Sequence, residues 1–254
     1  MYVGMNYLRN FFIALGLLLA LGSASAQDVG GYYFGIKGGA TLSDQQWTNF
    51  ERDPLLAAHA IAFVETLPEQ GKFSLFAQLG YHVKGSSLLP RTFFNPTFNE
   101  YFRSSSQSFR FYNLSLVLGA KQRFAQKNRL GLYYLFGPRL DYTFDTNLDE
   151  YTQFNTQFPQ YAIYPFDDKQ FIRELNYGFT AGGGMELPLT EMIGLLLEFT
   201  VNPDFSFQYQ QPAIPNVLDT FTNQTVTIPE RRIRNLTFEI TAGFRFWRKI
   251  EYID

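Results

Sequence analysis

Strict alternation of apolar and polar residues recurs along the chain. In residues 73–84, large apolar side chains occupy the odd positions, while serine, glutamine, glycine, histidine and lysine occupy most of the even positions. Residues 112–121 and 131–144 repeat this period of two. Successive side chains of a β-strand point to opposite faces, so the pattern predicts strands with one apolar face and one small or polar face.

Extending this reading predicts eight strands and an all-β fold. The segment at 57–66 gives the least information about which face is which, because alanine dominates its first half. The predicted strands cover residues 32–41, 57–66, 73–84, 110–124, 129–144, 174–187, 191–207 and 233–247.

The connections between these strands alternate between short and long. Tight links are expected around residues 68–71, 126–128 and 188–190, and the other four links are long and rich in Asn, Gln, Pro, Asp and Phe. Short periplasmic turns and long outer loops are typical of outer-membrane barrels. We therefore predict an eight-stranded antiparallel up-and-down transmembrane β-barrel with short periplasmic turns, long extracellular loops and both termini in the periplasm.

The more polar face of each strand decides between a membrane barrel and a soluble one. It mixes Gly, Ser, Thr and Asn with few charges, which would make a poor solubilising exterior, whereas the other face is almost entirely apolar. The polar face is therefore predicted to line a narrow lumen that side chains fill. The charged residues expected in this lumenal network are Lys37, Lys121, Arg123, Arg139, Asp141, Glu186, Glu198, Glu239 and Arg245.

Composition supports this interpretation. The chain has 28 Phe and 16 Tyr, yet its mean hydropathy is only −0.15, as expected when lipid-facing and lumenal residues alternate. The net charge of −2 gives no electrostatic basis for nucleic acid binding. The absence of cysteine excludes disulfides and thiol chemistry.

The N-terminus has the three parts of an export signal. Arg9 precedes an apolar run at 11–21 that is too short to span a bilayer, and Ala24-Ser25-Ala26 then forms a cleavage site before Gln27. Residues 1–26 are predicted to be a signal peptide, and residues 27–254 the outer-membrane barrel domain. The predicted location is the outer membrane of a Gram-negative cell.

Several strand patterns resemble the PorT-like outer-membrane β-barrel family. Residues 35–43 (Gly-Ile-Lys-Gly-Gly-Ala-Thr-Leu-Ser) resemble that family's opening strand, and residues 80–85 resemble a third strand that closes in Tyr-x-x-Lys-Gly. Residues 178–186 and 242–246 are similar to its sixth and last strands. The resemblance implies the same barrel, and it implies a role as an accessory of type IX protein secretion, to which some members are tied.

Catalysis has one candidate arrangement. His82 is expected on the inward face next to Lys84, Ser86 and Ser87, with Asp141 or an acidic loop residue as the orienting acid. This arrangement would suit a lipid-modifying hydrolase at the lumen mouth. No local motif supports it, and a histidine in a polar lumenal network is the simpler interpretation. Neither His59 nor His82 has a metal ligand at suitable spacing, so no catalytic residue, metal or cofactor is expected.

The long loops are the remaining functional surface, because they contain more aromatic residues than solvated loops usually do. These residues either fold over the barrel mouth or dock on a partner. The candidate partner-binding aromatics are Phe93, Phe94, Phe98, Tyr101, Phe102, Tyr151, Phe154, Phe158, Tyr161, Tyr164 and Phe166.

The sequence thus favours a non-enzymatic, plugged barrel that is surrounded by outer-membrane lipid. It would act as a structural or interaction protein, with a protein partner at its outer loops or its periplasmic face. The alternatives are a surface ligand-binding barrel and the His82 hydrolase. Within the lumen, Lys37 is expected to approach Glu239, with Glu198 in the same charge layer.

Overall fold

A computed structural model describes residues 30–47, 52–68, 72–88, 92–95, 99–103, 107–127, 130–157, 169–219 and 224–250. Eight long antiparallel strands form a closed wall, which confirms the predicted barrel. The described residues contain thirteen strands, which are numbered in chain order. The wall strands are β1 (Gly30–Trp47), β2 (Asp53–Thr66), β3 (Phe73–Leu88), β6 (Gln107–Lys127), β7 (Leu130–Thr146), β8 (Leu175–Pro188), β9 (Ile193–Pro203) and β13 (Arg231–Ile250).

Pairing between the first and last strands closes the ring. Along the whole of β1, from Gly30 opposite Ile250 to Trp47 opposite Ile233, each residue faces a partner in β13. The other edge of β1 pairs with β2. Closure satisfies every edge of the sheet, which is the condition for a sheet to lie in lipid.

The alternation of burial follows the predicted faces. In β3, Leu75, Leu79 and Tyr81 are exposed on the outer surface, whereas Gln78 and His82 are buried inside. In β6 and β7 the odd-numbered side chains point inward, which also agrees with the faces predicted from the sequence. The exposed outer face is apolar because it meets lipid, and the polar face is buried in the lumen.

The two ends of the barrel differ. At one end, here called the turn end, β2, β6 and β8 connect to the next strand across residues 67–72, 128–129 and 189–192, and both ends of the wall lie there. At the opposite end, the loop end, three connections are long, but the first spans only residues 48–52. The prediction of a long first link was wrong, because β1 and β2 continue to pair past their predicted ends.

The loop end also contains short elements. β4 (Thr92–Asn95) and β5 (Glu100–Arg103) form one separate hairpin, and β11 (Ile214–Asp219) and β12 (Gln224–Ile228) form another. Helix α1 (Leu148–Gln157) and a 3-10 turn (Lys169–Phe171) lie in the longest connection. β10 (Tyr209–Gln211) pairs with the start of β13.

The strand predicted over 191–207 ends earlier, at Pro203. The residues after it fold into the barrel mouth, where Asp204, Ser206 and Gln208 are buried. In the part of the chain that the structure describes, no helix is long and apolar enough to cross a membrane. The predicted signal peptide lies outside the described residues and remains a prediction.

Candidate functional site

Charged side chains fill the lumen in three layers. The turn-end layer consists of Glu65, Lys121, Arg123, Glu186 and Arg245. Lys121 Nζ lies 3.1 Å from Glu65 and 3.4 Å from Glu186, while Arg123 Nη2 lies 2.7 Å and 3.3 Å from the same two carboxylates. Arg245 also bonds to Glu186. Three cations thus share two acids, and the shared bonds hold four strands together at this level.

The central layer contains Lys37, Glu198, His59, His82 and Glu239. Lys37 Nζ bonds to a carboxylate oxygen of Glu198, and the Tyr133 hydroxyl donates to the other oxygen at 2.8 Å. The Lys37 ammonium also lies 5.5 Å from the centroid of the Phe63 ring. Glu198 is therefore satisfied by one cation and one hydroxyl, as a buried carboxylate requires.

The two histidines stack at the centre of the lumen. Their ring centroids are 5.4 Å apart, and the planes differ by 6°. His82 Nδ1 lies 2.6 Å from Glu239 Oε1, and His59 Nδ1 lies 2.8 Å from the Thr41 hydroxyl. Thr200 donates to the other Glu239 oxygen at 3.2 Å. The histidines and Glu239 thus form one hydrogen-bonded group that joins β1, β2, β3, β9 and β13.

The loop-end layer pairs two cations with two acids. Lys84 Nζ lies 2.6 Å from Asp141 and 3.0 Å from Asp204. Arg139 bonds to both acids, contacting Asp141 through Nε at 3.0 Å. The Ser115 hydroxyl also donates to Asp141, at 2.5 Å. Because Asp204 comes from the segment after β9, this layer fixes that segment in the barrel mouth.

An apolar cap covers the loop-end layer. It consists of the fully buried side chains Phe109, Leu148, Tyr209 and Ile233, with Trp47, Phe171 and Ile172 packed against them. Beneath the cap and the loop-end layer, a cavity of about 20 Å³ lies between Lys37, Arg139 and Glu239. A polar cavity of this size holds about one water molecule. The described lumen is therefore filled by side chains from the turn end to the cap.

The structure places all nine residues of the expected lumenal network on the inner face, but it changes one expected pair. Lys37 bonds to Glu198, whereas Glu239 bonds to His82. The expected approach of Lys37 to Glu239 was therefore wrong. The reason is the stagger of the strands: Glu239 lies opposite Thr41 in the ladder, while Lys37 lies opposite Gly243.

Five charged or histidine side chains of the described lumen are absent from the nine predicted residues: Glu65, Lys84, Asp204, His59 and His82. Lys84 and His82 do lie on the polar face that the alternation of residues 73–84 predicts. The alanine-rich start of β2 concealed the phase of His59 and Glu65. Asp204 is separated from Glu198 and Asn202 by an even number of residues. The period-two alternation of a strand therefore places it on the same inward face.

The proposed Ser/His/Asp arrangement does not form. His82 bonds to Glu239, while the Ser86 hydroxyl donates to Gln45 at 2.7 Å and Asp141 is held by its two cations. Ser87 donates to backbone carbonyls of β2. Across the described ranges, no cluster of three or more His, Asp or Glu side chains could hold a metal ion.

Two of the loop aromatics lie together on the surface. Phe94 and Tyr101 face each other across the β4–β5 hairpin with ring centroids 5.1 Å apart, and their exposed fractions are 50% and 76%. The other expected aromatics lie outside the described residues or have side chains that the structure does not describe: Phe93, Phe98, Phe102, Tyr151, Phe154, Phe158, Tyr161, Tyr164 and Phe166.

A closed wall with an apolar exterior and a polar, filled lumen is the architecture of a bacterial outer-membrane protein. Residues 25–211 match the family model described as "Outer membrane protein beta-barrel domain". The chain belongs to this family. It is accordingly an integral outer-membrane β-barrel protein, as the sequence predicted. No curated protein matches the chain.

Solved structures with a similar shape come from several bacteria. Neisserial surface protein A is 11% identical, with a TM-score of 0.46 over 87% of this chain and 99% of that one. OprG from Pseudomonas aeruginosa is 10% identical, with a TM-score of 0.42 over 86% and 97%. Ail of Yersinia pestis, in complex with the heparin analogue sucrose octasulfate, is 10% identical, with a TM-score of 0.37 over 85% and 99%.

Proposed function

We propose that this chain is a non-enzymatic outer-membrane barrel with a plugged lumen, and that it acts as an interaction protein through its loop end. The observation that carries the proposal is the exposed pair of Phe94 and Tyr101 on the β4–β5 hairpin. Aromatic residues at a protein surface are typical of recognition sites, because they bury a large apolar area at a small entropic cost.

The position of this hairpin supports the same conclusion. β4 and β5 pair only with each other among the described strands, so the hairpin stands apart from the wall. A two-stranded hairpin on its own is marginally stable in water. Contact with a partner protein would cover the aromatic pair and stabilise the hairpin at the same time.

The filled lumen argues against transport. Three layers of paired charges and the apolar cap occupy it, and the cavity of about 20 Å³ leaves room for about one water molecule. Buried ion pairs stay where they are because separating them leaves charges uncompensated. The functional surface of the barrel is then its outside, above all the segments beyond the wall.

Site-specific photo-crosslinking in native outer membranes tests the proposal. A photoreactive residue at Tyr101 should give a discrete adduct with a partner protein, and Phe94→Ser should abolish that adduct. The matched control is the same photoreactive residue at Val226, which is exposed on the β11–β12 hairpin. Absence of an adduct at Tyr101, or an equal adduct at Val226, would contradict the proposed site.

The resemblance to PorT-like barrels supports a more specific form of this function, an accessory of type IX secretion. Lys84, the lysine of the Tyr-x-x-Lys-Gly pattern, forms ion pairs with Asp141 and Asp204 inside the lumen. Its role is therefore to stabilise the barrel. The secretion role would therefore lie in the loop-end segments. Deleting the gene in its host should stop surface display of secreted cargo, and Phe94→Ser with Tyr101→Ser should reproduce the defect.

We propose no catalytic role for His82, because it is buried and its Nδ1 bonds to Glu239. His82→Asn should leave lipid A and phospholipid composition unchanged in cells that overproduce the protein. Loss of a lipid modification with this variant would support the hydrolase instead.

A further inference from the structure

The outer face of β13 is divided into zones along its length. Its apolar stretch runs from Leu236 to Phe246, with Arg234 before it and Arg248 after it on the same face. At ~3.4 Å per residue this stretch is about 34 Å long, and a strand tilt of about 40° reduces its height to about 26 Å. The apolar band of an outer-membrane barrel is about 25 Å tall. Arg234 therefore lies at the level of the lipid headgroups on the loop side, and Arg248 at that level on the turn side.

One aromatic ring holds two arginines at the loop-side level. The guanidinium carbons of Arg234 and Arg232 lie 4.6 Å and 5.3 Å from the centroid of Phe207. Stacking on a ring orients a guanidinium and leaves its N–H edge available for an anion. Two successive outward positions of β13 thus present their cations side by side.

The residues around Arg234 leave its guanidinium group able to bind an anion. Arg232 Nε donates to Glu230 at 2.7 Å, and this bond lowers the pKa of the Glu230 carboxyl from its ordinary value. The contact that the structure gives Arg234 is the Phe207 ring, and the residue opposite it in β1 is the neutral Gln46. Asp44 also lies on the outer face of β1, opposite Leu236, so the two arginines face two acids. Arg232 is bonded to Glu230, and among the described residues neither acid forms an ion pair with Arg234, so Arg234 is the first phosphate ligand of the patch.

We propose that Arg234 and Arg232, held on Phe207, bind the phosphate of a phosphorylated glycolipid of the lipid A type. Guanidinium groups bind phosphate through paired, charge-assisted hydrogen bonds. The acyl chains of the same molecule would lie along Leu236 and Phe238, which continue down the wall from the arginines. Such a lipid matches the patch at both ends, with phosphate on the arginines and hydrocarbon on the apolar band.

Binding measurements on the full chain in detergent micelles test this site. The probes are bisphosphorylated lipid A, the same lipid with both phosphates removed, inorganic phosphate and phosphatidylglycerol. Wild type should bind lipid A more tightly than the other three. Each arginine supplies bonds worth about 1.4 kcal/mol or more, so Arg234→Gln should lower the affinity for lipid A at least about tenfold, and Arg232→Gln with Arg234→Gln should lower it further.

Arg248→Gln is the matched control, because it removes an exposed arginine from the same face of the same strand at the turn side. It should leave the affinity unchanged, and all variants should keep the heat-modifiable mobility of a folded barrel. Equal affinity for the dephosphorylated lipid would overturn the proposal, as would an equal loss with Arg248→Gln. Displacement of lipid A by an equal concentration of inorganic phosphate, or tighter binding of phosphatidylglycerol, would also overturn it. If the double variant fails to fold, the affinity of Arg234→Gln for lipid A decides whether the proposal stands.

Discussion

The ammonium of Lys37 reaches over β13 to bond the carboxylate of Glu198 on the far side of that strand. It passes Gly243, which lies opposite Lys37 in the ladder. A side chain at this position would meet the Cβ of Lys37. The Lys37–Glu198 pair of the central layer therefore depends on a glycine that makes room for the lysine side chain.

Removing the cation of this pair should destabilise the barrel. Lys37→Met leaves Glu198 charged and buried, with the Tyr133 hydroxyl as its remaining bond. Breaking a buried pair costs about 3–5 kcal/mol, and we expect a loss of that size in urea unfolding in detergent. Adding Glu198→Gln should recover part of it, because the uncompensated charge is then gone. Glu239→Gln is the control and should recover nothing, since Glu239 bonds to His82. Strictly additive effects of Lys37→Met and Glu198→Gln would contradict the pair.

The glycine that adjoins this pair should be equally sensitive. Gly243→Ala forces a methyl group against Lys37 and the Ile36 carbonyl, so we expect a loss of about 1–3 kcal/mol, typical of overpacking. Gly131 of β7 is the matched control, because the nearest atom to an added methyl lies 3.8 Å away. Gly131→Ala should change the free energy of unfolding by less than about 0.5 kcal/mol. Equal effects of the two substitutions in the same urea titration would count against the crowded site.

The orientation of the barrel in the membrane is a third prediction. The long connections, especially residues 145–172, should face the cell exterior, and both termini should face the periplasm. Chymotrypsin added to intact cells should cleave within 145–172, while a C-terminal tag stays protected. Loss of the tag with that loop intact would reverse the orientation.

Conduction is the fourth prediction. Purified protein in planar bilayers should show no steady single-channel current, because ion-paired side chains fill an eight-stranded lumen. Tyr209→Ala opens the apolar cap but leaves the three charge layers beneath it. This variant should also fail to conduct. Steady current from either protein would show that the charge layers do not block the lumen.

The wall of the barrel could be predicted from the sequence because it depends on a local period of two. Each wall strand that alternates clearly, such as β3 or β7, has its faces as predicted. The ends of the strands could not be predicted, because pairing continues wherever a neighbouring strand is available. β1 thus extends to Trp47 and shortens the first connection.

The pairing inside the lumen was only partly predictable. The alternation along each strand places Lys37, Glu198 and Glu239 on the inner face, but it does not determine which of these side chains form an ion pair. Their partners depend on how far each strand is shifted along its neighbour, which is a property of the closed ring. Asp204 lies just after β9, where the chain folds into the barrel mouth, and its inward position agrees with the period of two that the sequence shows up to Asn202.

The seam between β1 and β13 joins residues from opposite ends of the wall, with Gly30 paired to Ile250. Contacts this far apart in sequence form late and slowly, because the intervening chain must first be ordered. Until the seam forms, β1 and β13 both present open backbone edges, and Lys37 and Glu198 stand unpaired on a half-built sheet. Both conditions are costly in hydrocarbon. Folding and entry into the bilayer must therefore be completed together, so a barrel that stalls before its seam closes has no stable place in the membrane.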